Sequence, residues 1–196
     1  VAAKEMGIPI INETELAFCS ARASFVAITG TNGKTTTTSL LGELLKNEQH
    51  QGVVGGNIGL PLVSIAESLG EEDLIVAEMS SFQLETTVTF KPKVALMLNL
   101  TPDHLDRHGD MQGYLEAKAK IFANQDEGDY LILNADDAYL APLAKQARSQ
   151  VIFFSRQHIL KEGVFLRGNT VVFCHDGKET SICQKEEIAI KGAHNL

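Results

Sequence analysis

The stretch ITGTNGKTTTT at residues 28–38 contains the residue types that bind phosphate groups. Gly30 and Gly33 let the backbone turn so that its N–H groups face a ligand. Lys34 can reach the β- and γ-phosphates of a nucleotide, and the Thr35 hydroxyl suits Mg²⁺. The strict phosphate-loop pattern needs a glycine two residues before Gly30, where this chain has isoleucine, so the loop is a shortened variant. A plain strand–turn–helix corner is the alternative, which this clustering of residue types disfavours.

The predicted strand at residues 73–78 ends in an acidic residue, and a helix-cap pattern follows it. Glu78 ends this run, where a phosphate-loop protein places a carboxylate that holds a metal ion. The next residues, SSFQLE, could begin a helix with Ser80 as its N-cap and Gln83 at the third position. The two interpretations are compatible, and we expect Glu78 to hold a metal ion.

The segment NLTPDHLDRHG at residues 99–109 crowds charged and imidazole side chains just past another apolar run. These side chains belong to Asp103, His104, Asp106, Arg107 and His108. A single histidine is more often structural than a ligand, but a position after a strand favours a functional site. Asp106 and Arg107 could equally form a local ion pair.

Lys118 lies on the apolar side of a predicted helix. Tyr114, Lys118, Ile121 and Phe122 share one face, whereas Lys120 is about 200° away and should face water. A buried amine is costly and tends to lose its proton. From the sequence alone, a Lys118 side chain that snorkels past the edge of the core is the favoured interpretation.

The segment GGNIGLP at residues 55–61 is a weaker signal. Its glycines permit the backbone to approach a ligand closely, and Asn57 offers both a hydrogen-bond donor and an acceptor. An ordinary turn would explain the same residues.

Apolar runs that alternate with amphipathic helices separate these motifs. Strands are predicted at residues 24–29, 52–54, 73–78, 93–99, 130–134 and 151–155, and helices at residues 60–69, 111–125 and 137–148. The alternation predicts an α/β fold, with a mostly parallel sheet covered by helices on both faces. Ligands of such sheets bind at the carboxyl ends of the strands.

Three further elements are predicted outside this alternation. Residues 7–16 should form a short strand and then a helix start capped by Asn12 or Thr14. The helix after the first strand should bury a leucine stripe, which consists of Leu40, Leu41, Leu44 and Leu45. Turn signals at residues 168–169 and 176–177 predict a small antiparallel β element near 163–184, beside the main sheet.

Composition argues against several classes of protein. A formal net charge of −8 and the lack of a basic aromatic stripe argue against a nucleic-acid surface. The longest apolar run, residues 94–100, is far shorter than the roughly 20 residues of a membrane helix, and nothing resembles a secretory signal. Three cysteines without a C-x-x-C pair indicate free thiols and a cytoplasmic protein. Because the chain starts with Val1 and stops at a helix-like start, we expect it to belong to a longer protein.

Taken in order, the motifs resemble those of the Mur ligases, the ATP-dependent amide-forming enzymes of peptidoglycan synthesis. The resemblance spans residues 24–196 and rests on TGTNGKTT, GGNIGLP, AEMSSFQLE, NLTPDHLDRHG, YLEAK, LNADD and GAHN. The pair GGNIGLP and SSFQLE is the most specific part. Within the family, the chain is most similar to the members that join D-glutamate to UDP-N-acetylmuramoyl-L-alanine.

The resemblance implies a domain organisation. Residues 1–24 would end an N-terminal domain that binds the UDP substrate, and residues 25–196 would form the central ATP-binding domain. The C-terminal domain would lie outside this chain, so we expect the chain alone not to catalyse ligation. We also expect a monomer.

The resemblance also implies a role for each candidate residue. The ATP phosphates would be bound by Gly30, Thr31, Asn32, Gly33, Lys34, Thr35 and Thr36, with Asn195 reaching the adenine. Two Mg²⁺ ions are implied, the first held by Thr35 and Glu78 and the second served by His104 and Lys118. Lys118 would be N-carboxylated, because a carbamate offers oxygens suited to a hard cation. Lys34, His104 and Lys118 would be catalytic, and Asn57, Ser80 and Gln83 would contact the UDP-sugar substrate.

The implied reaction has two steps. The substrate carboxylate attacks the γ-phosphate of ATP and forms an acyl phosphate, and the amine of D-glutamate then displaces phosphate. One alternative is a ligase similar to folylpolyglutamate synthase. Another is a non-catalytic nucleotide-binding module that passes on a conformational change, although metal-type groups at residues 78, 104 and 118 favour an enzyme.

Overall fold

The computed structural model of the chain describes residues 2–8, 10–46 and 52–190, within which the strands form one nine-stranded sheet. The strands are β1 Ser24–Thr29, β2 Gly52–Gly56, β3 Leu74–Glu78, β4 Val94–Met97, β5 Tyr130–Asn134, β6 Gln150–Ser155, β7 Gly163–Arg167, β8 Thr170–His175 and β9 Lys178–Gln184. Their order is β2-β3-β1-β4-β5-β6-β7-β8-β9. All neighbours from β2 to β7 are parallel, so the predicted α/β fold with a mostly parallel sheet is confirmed.

The helices that pack on this sheet are short. The α-helices are α1 Ala2–Glu5, α2 Glu13–Ser20, α3 Lys34–Leu44, α4 Leu62–Ala66, α5 Ser81–Glu85, α6 Leu105–His108 and α7 Met111–Ala119, with 3₁₀ turns at Lys120–Phe122, Ala141–Lys145 and Lys185–Glu187. The helix predicted at 137–148 is therefore only a 3₁₀ turn. Within the part of the chain that the structure describes, no helix is long and apolar enough to cross a membrane.

Among the described N-terminal residues, the regular elements are the helices α1 and α2. The prediction of a short strand within residues 7–11 was wrong, because residues 7, 8, 10 and 11 form no strand. Pro9 lies outside the described residues. Asn12 caps α2 as predicted, because its side chain accepts a hydrogen bond from the Glu15 N–H at 2.8 Å. This helix belongs to the main core, where Phe18 packs edge-to-face against Phe25 and Phe90.

The leucine stripe predicted for α3 was wrong in part. The helix turns Thr38 and Gly42 inward instead, and a Cβ at Gly42 would lie 2.3 Å from a methyl of Val54. This close approach to β2 leaves Leu40 45% and Leu44 71% exposed. A small residue thus sets the buried face of α3, and its bulkiest residues do not.

The antiparallel element near residues 163–184 is confirmed. Two-residue turns at 168–169 and 176–177 connect β7 to β8 and β8 to β9. Asp176 and Gly177 both have positive φ, 50° and 69°, as a type I′ hairpin turn requires. Because β7 also pairs with β6 in parallel, the element extends the main sheet.

A buried carboxylate fixes α2 to the loop before β4. Glu15 is buried, and its side chain accepts hydrogen bonds from the N–H groups of residues 88, 89 and 90 and from the Thr89 hydroxyl. Burial alone would raise the pKa of Glu15, but these four hydrogen bonds together lower it below its ordinary value. The charged form is therefore the one that the fold stabilises.

We expect Glu15→Ala to lower the free energy of unfolding by about 3 kcal/mol at pH 7, since it leaves three backbone donors without an acceptor. Urea unfolding measures the loss, and the exposed Glu43→Ala serves as the control, with a change below about 0.5 kcal/mol. Because the folded-state pKa is lowered, the advantage of Glu15 should shrink as the pH falls below the ordinary 4.5. A difference between the proteins that is constant from pH 7 to pH 3 would contradict this assignment.

Candidate functional site

The candidate residues meet at one edge of the sheet. Gly30 follows β1, Asn57 follows β2, Glu78 ends β3 and residues 99–104 follow β4. Because these four strands are parallel neighbours, their carboxyl ends lie together. The structure thus brings the predicted phosphate, metal and substrate residues of the described chain to the edge where ligands of parallel sheets bind.

The loop between β1 and α3 has the features of a phosphate site. A Cβ at Gly30 would lie 3.0 Å from the Leu98 Cβ, and Gly33 has φ +83°, so both positions suit glycine. No side chain among the described residues caps α3 at Gly33, which leaves the first N–H groups of the helix available to an anion. Lys34 Nζ donates to the carbonyls of Gly30 and Thr31, at 3.0 and 2.9 Å.

Asn99 braces this loop, a role that the sequence did not indicate. Its carbonyl accepts from the Thr31 N–H at 3.0 Å, and its side-chain oxygen accepts from the Asn32 N–H at 2.9 Å. Its amide donates back to the Asn32 carbonyl at 3.0 Å. The N–H groups of Thr31 and Asn32 therefore donate to Asn99 and hold the shape of the loop. Only the parallel pairing of β1 with β4, which a sequence does not display, brings the two loops together.

The Glu78 carboxylate joins three segments of the chain. It is 1% exposed, and its two oxygens accept hydrogen bonds from the Thr35 hydroxyl and the Asn57 amide, both at 2.9 Å. The Asn57 N–H also donates to the Glu78 carbonyl at 2.9 Å. A Cβ at Gly56, where φ is +104°, would lie 2.4 Å from this carbonyl. Gly56 of GGNIGLP therefore serves close packing on Glu78, where the sequence suggested close approach to a ligand.

The donor set around Glu78 fits a hard divalent cation. Its two hydrogen-bond donors are neutral, so its buried charge is not neutralised by them. Mg²⁺ is commonly held by one or two carboxylates together with hydroxyl, water and phosphate oxygens, and Thr35 adds such a hydroxyl. In the chain as described, no three His, Cys, Asp or Glu side chains cluster as a ready-made metal site. A metal here would depend on a phosphate ligand.

Lys118 is buried in the site, so the snorkelling interpretation was wrong. It is 1% exposed, and its amine donates to the Gly30 carbonyl at 2.8 Å and lies 3.4 Å from the Thr29 hydroxyl. Burial first, and then the positive charge of Lys34, lowers its pKa to about 7, although Asp103 acts in the opposite direction. Lys120 is exposed, as the helical spacing predicted.

His104 lies near the same aromatic ring as Lys118. Its backbone has φ +51°, and its Nε2 is 3.5 Å from the Asp103 carboxylate. The Tyr114 ring is close to both candidate metal residues, with its centroid 6.4 Å from the His104 ring and 4.7 Å from Lys118 Nζ. His104 and Lys118 thus lie close to the same ring.

Two local predictions about this edge had opposite outcomes. The cap was confirmed, since Gln83 N–H donates to the Ser80 hydroxyl at 3.3 Å and Ser80 N–H donates to the Gln83 side chain at 2.9 Å. The Asp106–Arg107 pair was wrong, because Arg107 pairs with Glu85 at 2.9 Å. Asn195, the predicted adenine contact, lies outside the described residues.

The LNADD segment also supports the site, although it contributed only to the family resemblance. The Asn134 amide donates to the Leu98 carbonyl at 2.9 Å, and Asp137 accepts from the Leu100 N–H at 2.7 Å. Both bonds hold the loop that leaves β4, and this loop in turn braces the phosphate loop. An asparagine at the end of a strand, with an aspartate three residues later, was the available signal.

Most of the chain matches one known protein family. Residues 28–196 match the model of the Mur ligase middle domain. The chain belongs to the Mur ligase family. It is 53% identical over 195 residues to the UDP-N-acetylmuramoylalanine–D-glutamate ligase of Pelotomaculum thermopropionicum and 47% identical over 194 residues to that of Koribacter versatilis. The alignments cover 100% and 99% of this Mur ligase chain but 43% of each relative, so the chain spans less than half of their length.

Solved Mur ligase structures share this fold at low sequence identity. A UDP-N-acetylmuramoyl-L-alanyl-D-glutamate–2,6-diaminopimelate ligase superimposes with a TM-score of 0.68 at 22% identity, over 88% of this chain and 40% of that one. MurF of Thermotoga maritima, solved in complex with ADP, gives 0.56 at 23% identity, over 87% and 43%. The α/β sheet is therefore a Mur ligase architecture.

We expect Gly56→Ala to destabilise the domain by at least about 2 kcal/mol, because the new Cβ meets the Glu78 carbonyl and φ is positive. Thermal and urea unfolding measure the change. Gly70→Ala is the matched control, since its Cβ would meet its nearest neighbour at an ordinary 3.7 Å. Equal effects of the two substitutions would contradict the close packing on Glu78.

We expect the Lys118 amine to titrate near pH 7 in the unmodified protein. The ¹³Cε chemical shift of Lys118 in lysine-labelled protein, followed from pH 5 to pH 11, gives its pKa. Lys34→Met should raise this pKa, because it removes the nearby positive charge. A Lys118 pKa near the ordinary 10.5, unchanged by Lys34→Met, would contradict the burial and repulsion described above.

Proposed function

We propose that the chain is the ATP-binding part of a ligase that adds D-glutamate to UDP-N-acetylmuramoyl-L-alanine in peptidoglycan synthesis. The observation that carries the proposal is the Glu78–Thr35 pair next to a phosphate loop with two lysines. The names of the 53% and 47% identical relatives support the choice of substrates. The ADP complex of a protein with the same fold supports the nucleotide.

The phosphate loop would bind and orient ATP. Thr31 and Asn32 would shape it, and the N–H groups from Gly33 to Thr36 would face the phosphates. Lys34 would exchange its two carbonyl contacts for the γ-phosphate. Thr35 and Glu78 would hold Mg²⁺, which neutralises charge as the phosphoryl group moves. The substrate carboxylate, held in line, would then attack the γ-phosphate and form the acyl phosphate.

Lys118 would act in an N-carboxylated form. A lysine pKa of about 7 leaves much of the amine neutral at physiological pH, and only the neutral amine attacks CO₂. The new N–C bond forms as one proton leaves, and the result is a carbamate with negative oxygens. Together with His104, which lies near the same Tyr114 ring, these oxygens would serve a second Mg²⁺.

The remaining roles concern the substrates and the rest of the protein. Asn57, Ser80 and Gln83 would contact the UDP-sugar from the sheet edge that they share with Glu78, and Asn195 would reach the adenine. Residues 1–24 would end a UDP-binding domain, and further domains would complete the D-glutamate site. We place the protein in the cytoplasm as a monomer, where both small substrates are available.

Phosphate release from ATP by the full-length gene product tests this function. Release is measured with UDP-N-acetylmuramoyl-L-alanine and D-glutamate, with each alone and with neither. We expect release to require both substrates. Release driven by a folate and glutamate would replace the proposal with a folylpolyglutamate synthase activity, and ATP binding without substrate-dependent release would favour a nucleotide-binding module.

We expect Lys118→Ala to reduce turnover by about 100-fold or more, because it removes the carbamate oxygens from the second metal site. Added short-chain carboxylic acids should restore part of the activity by supplying oxygens in the vacated space. Lys120→Ala, an exposed lysine two residues away, should retain activity within about twofold. An active Lys118→Ala enzyme would exclude a metal role for this lysine.

A further inference from the structure

Three side chains, those of Ser81, Glu85 and His108, join α5 to α6 near the candidate site. His108 Nε2 lies 3.0 Å from the Ser81 hydroxyl, and His108 Nδ1 lies 3.1 Å from a Glu85 carboxylate oxygen. The His108 side chain is 3% exposed and Ser81 is 2% exposed. Because a carboxylate only accepts hydrogen bonds, Nδ1 carries a proton toward Glu85, and this fixes the orientation of the ring.

The backbone of His108 is held from the other side by α7. A Cβ at Gly113 would lie 2.4 Å from the His108 carbonyl oxygen, which therefore occupies the place of a side chain. The helix that ends at His108 has only four residues, too few to be stable without tertiary contacts. The position of α6 thus depends on the ring of His108 at α5 and on its carbonyl at α7.

This short helix carries His104 at its N-terminus. The N–H groups of Arg107 and His108 donate to the His104 carbonyl, at 3.0 and 3.1 Å. His104 has φ +51°, in the left-handed region that few non-glycine residues adopt. Phe82 of α5 stacks on His108 with ring centroids 5.6 Å apart and contacts the His104 ring at 5.0 Å. The direction of the His104 imidazole therefore depends on how His108 is held.

We propose that His108 is a positioning residue, which together with Ser81 and Glu85 holds the His104 imidazole in its place in the site. A serine–histidine–carboxylate chain is also the arrangement of a hydrolase nucleophile. Here Ser81 is buried inside the contact between α5 and α6. The three hydrogen-bonded side chains therefore order the backbone of α6 and do not form a nucleophile. The effect of His108 on catalysis rests on the proposed function, because it acts through His104.

Substitutions at His108 separate its contacts. His108→Phe keeps a ring on Phe82 but removes both hydrogen bonds. His108→Asn places an amide nitrogen near the position of Nδ1 and keeps the Glu85 contact, whereas His108→Gln reaches the position of Nε2 and keeps the Ser81 contact. Arg107→Ala is the matched control, because it removes an exposed contact to the other oxygen of Glu85 at 2.9 Å and leaves the imidazole untouched.

The first readout is amide hydrogen exchange in the full-length protein without metal or nucleotide. We expect the N–H groups of residues 107–109, which bond to the His104 and Leu105 carbonyls, to exchange at least about 10-fold faster in His108→Phe. Arg107→Ala should exchange like the wild type. Exchange that is unchanged in His108→Phe would overturn the positioning role, and this readout does not depend on ligase activity.

The second readout is the Mn²⁺ concentration that gives half-maximal turnover. We expect it to rise about 10- to 100-fold in His108→Phe, with the KM for ATP within about threefold of the wild type. A rise of both constants by the same factor, or a drop in melting temperature with an unchanged Mn²⁺ requirement, would overturn the proposal.

If His108→Phe does not fold, His108→Asn and His108→Gln decide by the same criteria. A wild type without substrate-dependent turnover would refute the proposed function and leave the exchange result standing.

Discussion

The buried Glu78 carboxylate is the group on which the rest of the site depends. Removing a charge from water costs several kcal/mol unless partners compensate, and its two side-chain donors here are neutral. Three parts of the fold position this carboxylate. It ends β3, and it accepts hydrogen bonds from Thr35 in the first turn of α3 and from Asn57 in the turn after β2. The Gly56 position has no room for a side chain because this turn lies directly on Glu78. A cation between this carboxylate and a bound phosphate would offset the cost.

A second constraint comes from the two lysines that share the Gly30 carbonyl. Lys34 donates to it at 3.0 Å and Lys118 at 2.8 Å, so their charges repel each other at a buried position. Burial and this repulsion bring the Lys118 pKa to about 7. The same geometry that would destabilise an ammonium favours a neutral, reactive amine. The phosphate loop and the modification proposed for Lys118 are therefore parts of one electrostatic arrangement.

Features that depend on local sequence were predictable, and those that depend on tertiary packing were not. The apolar strands, the hairpin turns and the Ser80 cap follow from neighbouring residues, and the inward direction of Lys118 follows from helical spacing. The burial of its amine depends on the Gly30 carbonyl, which is 88 residues away, so the sequence favoured snorkelling. The leucine stripe failed because Gly42 lets α3 approach β2, and the bracing by Asn99 depends on which strands are neighbours.

In the proposed site, Glu78 and Thr35 hold a divalent cation beside the phosphate loop. A crystal structure of the full-length protein with Mn²⁺ and a non-hydrolysable ATP analogue, with anomalous diffraction data, would locate this cation. We expect an anomalous peak about 2.2 Å from a Glu78 carboxylate oxygen and from the Thr35 hydroxyl, which would then no longer donate to Glu78. Mn²⁺ bound elsewhere, with Glu78 still accepting from both Thr35 and Asn57, would contradict it.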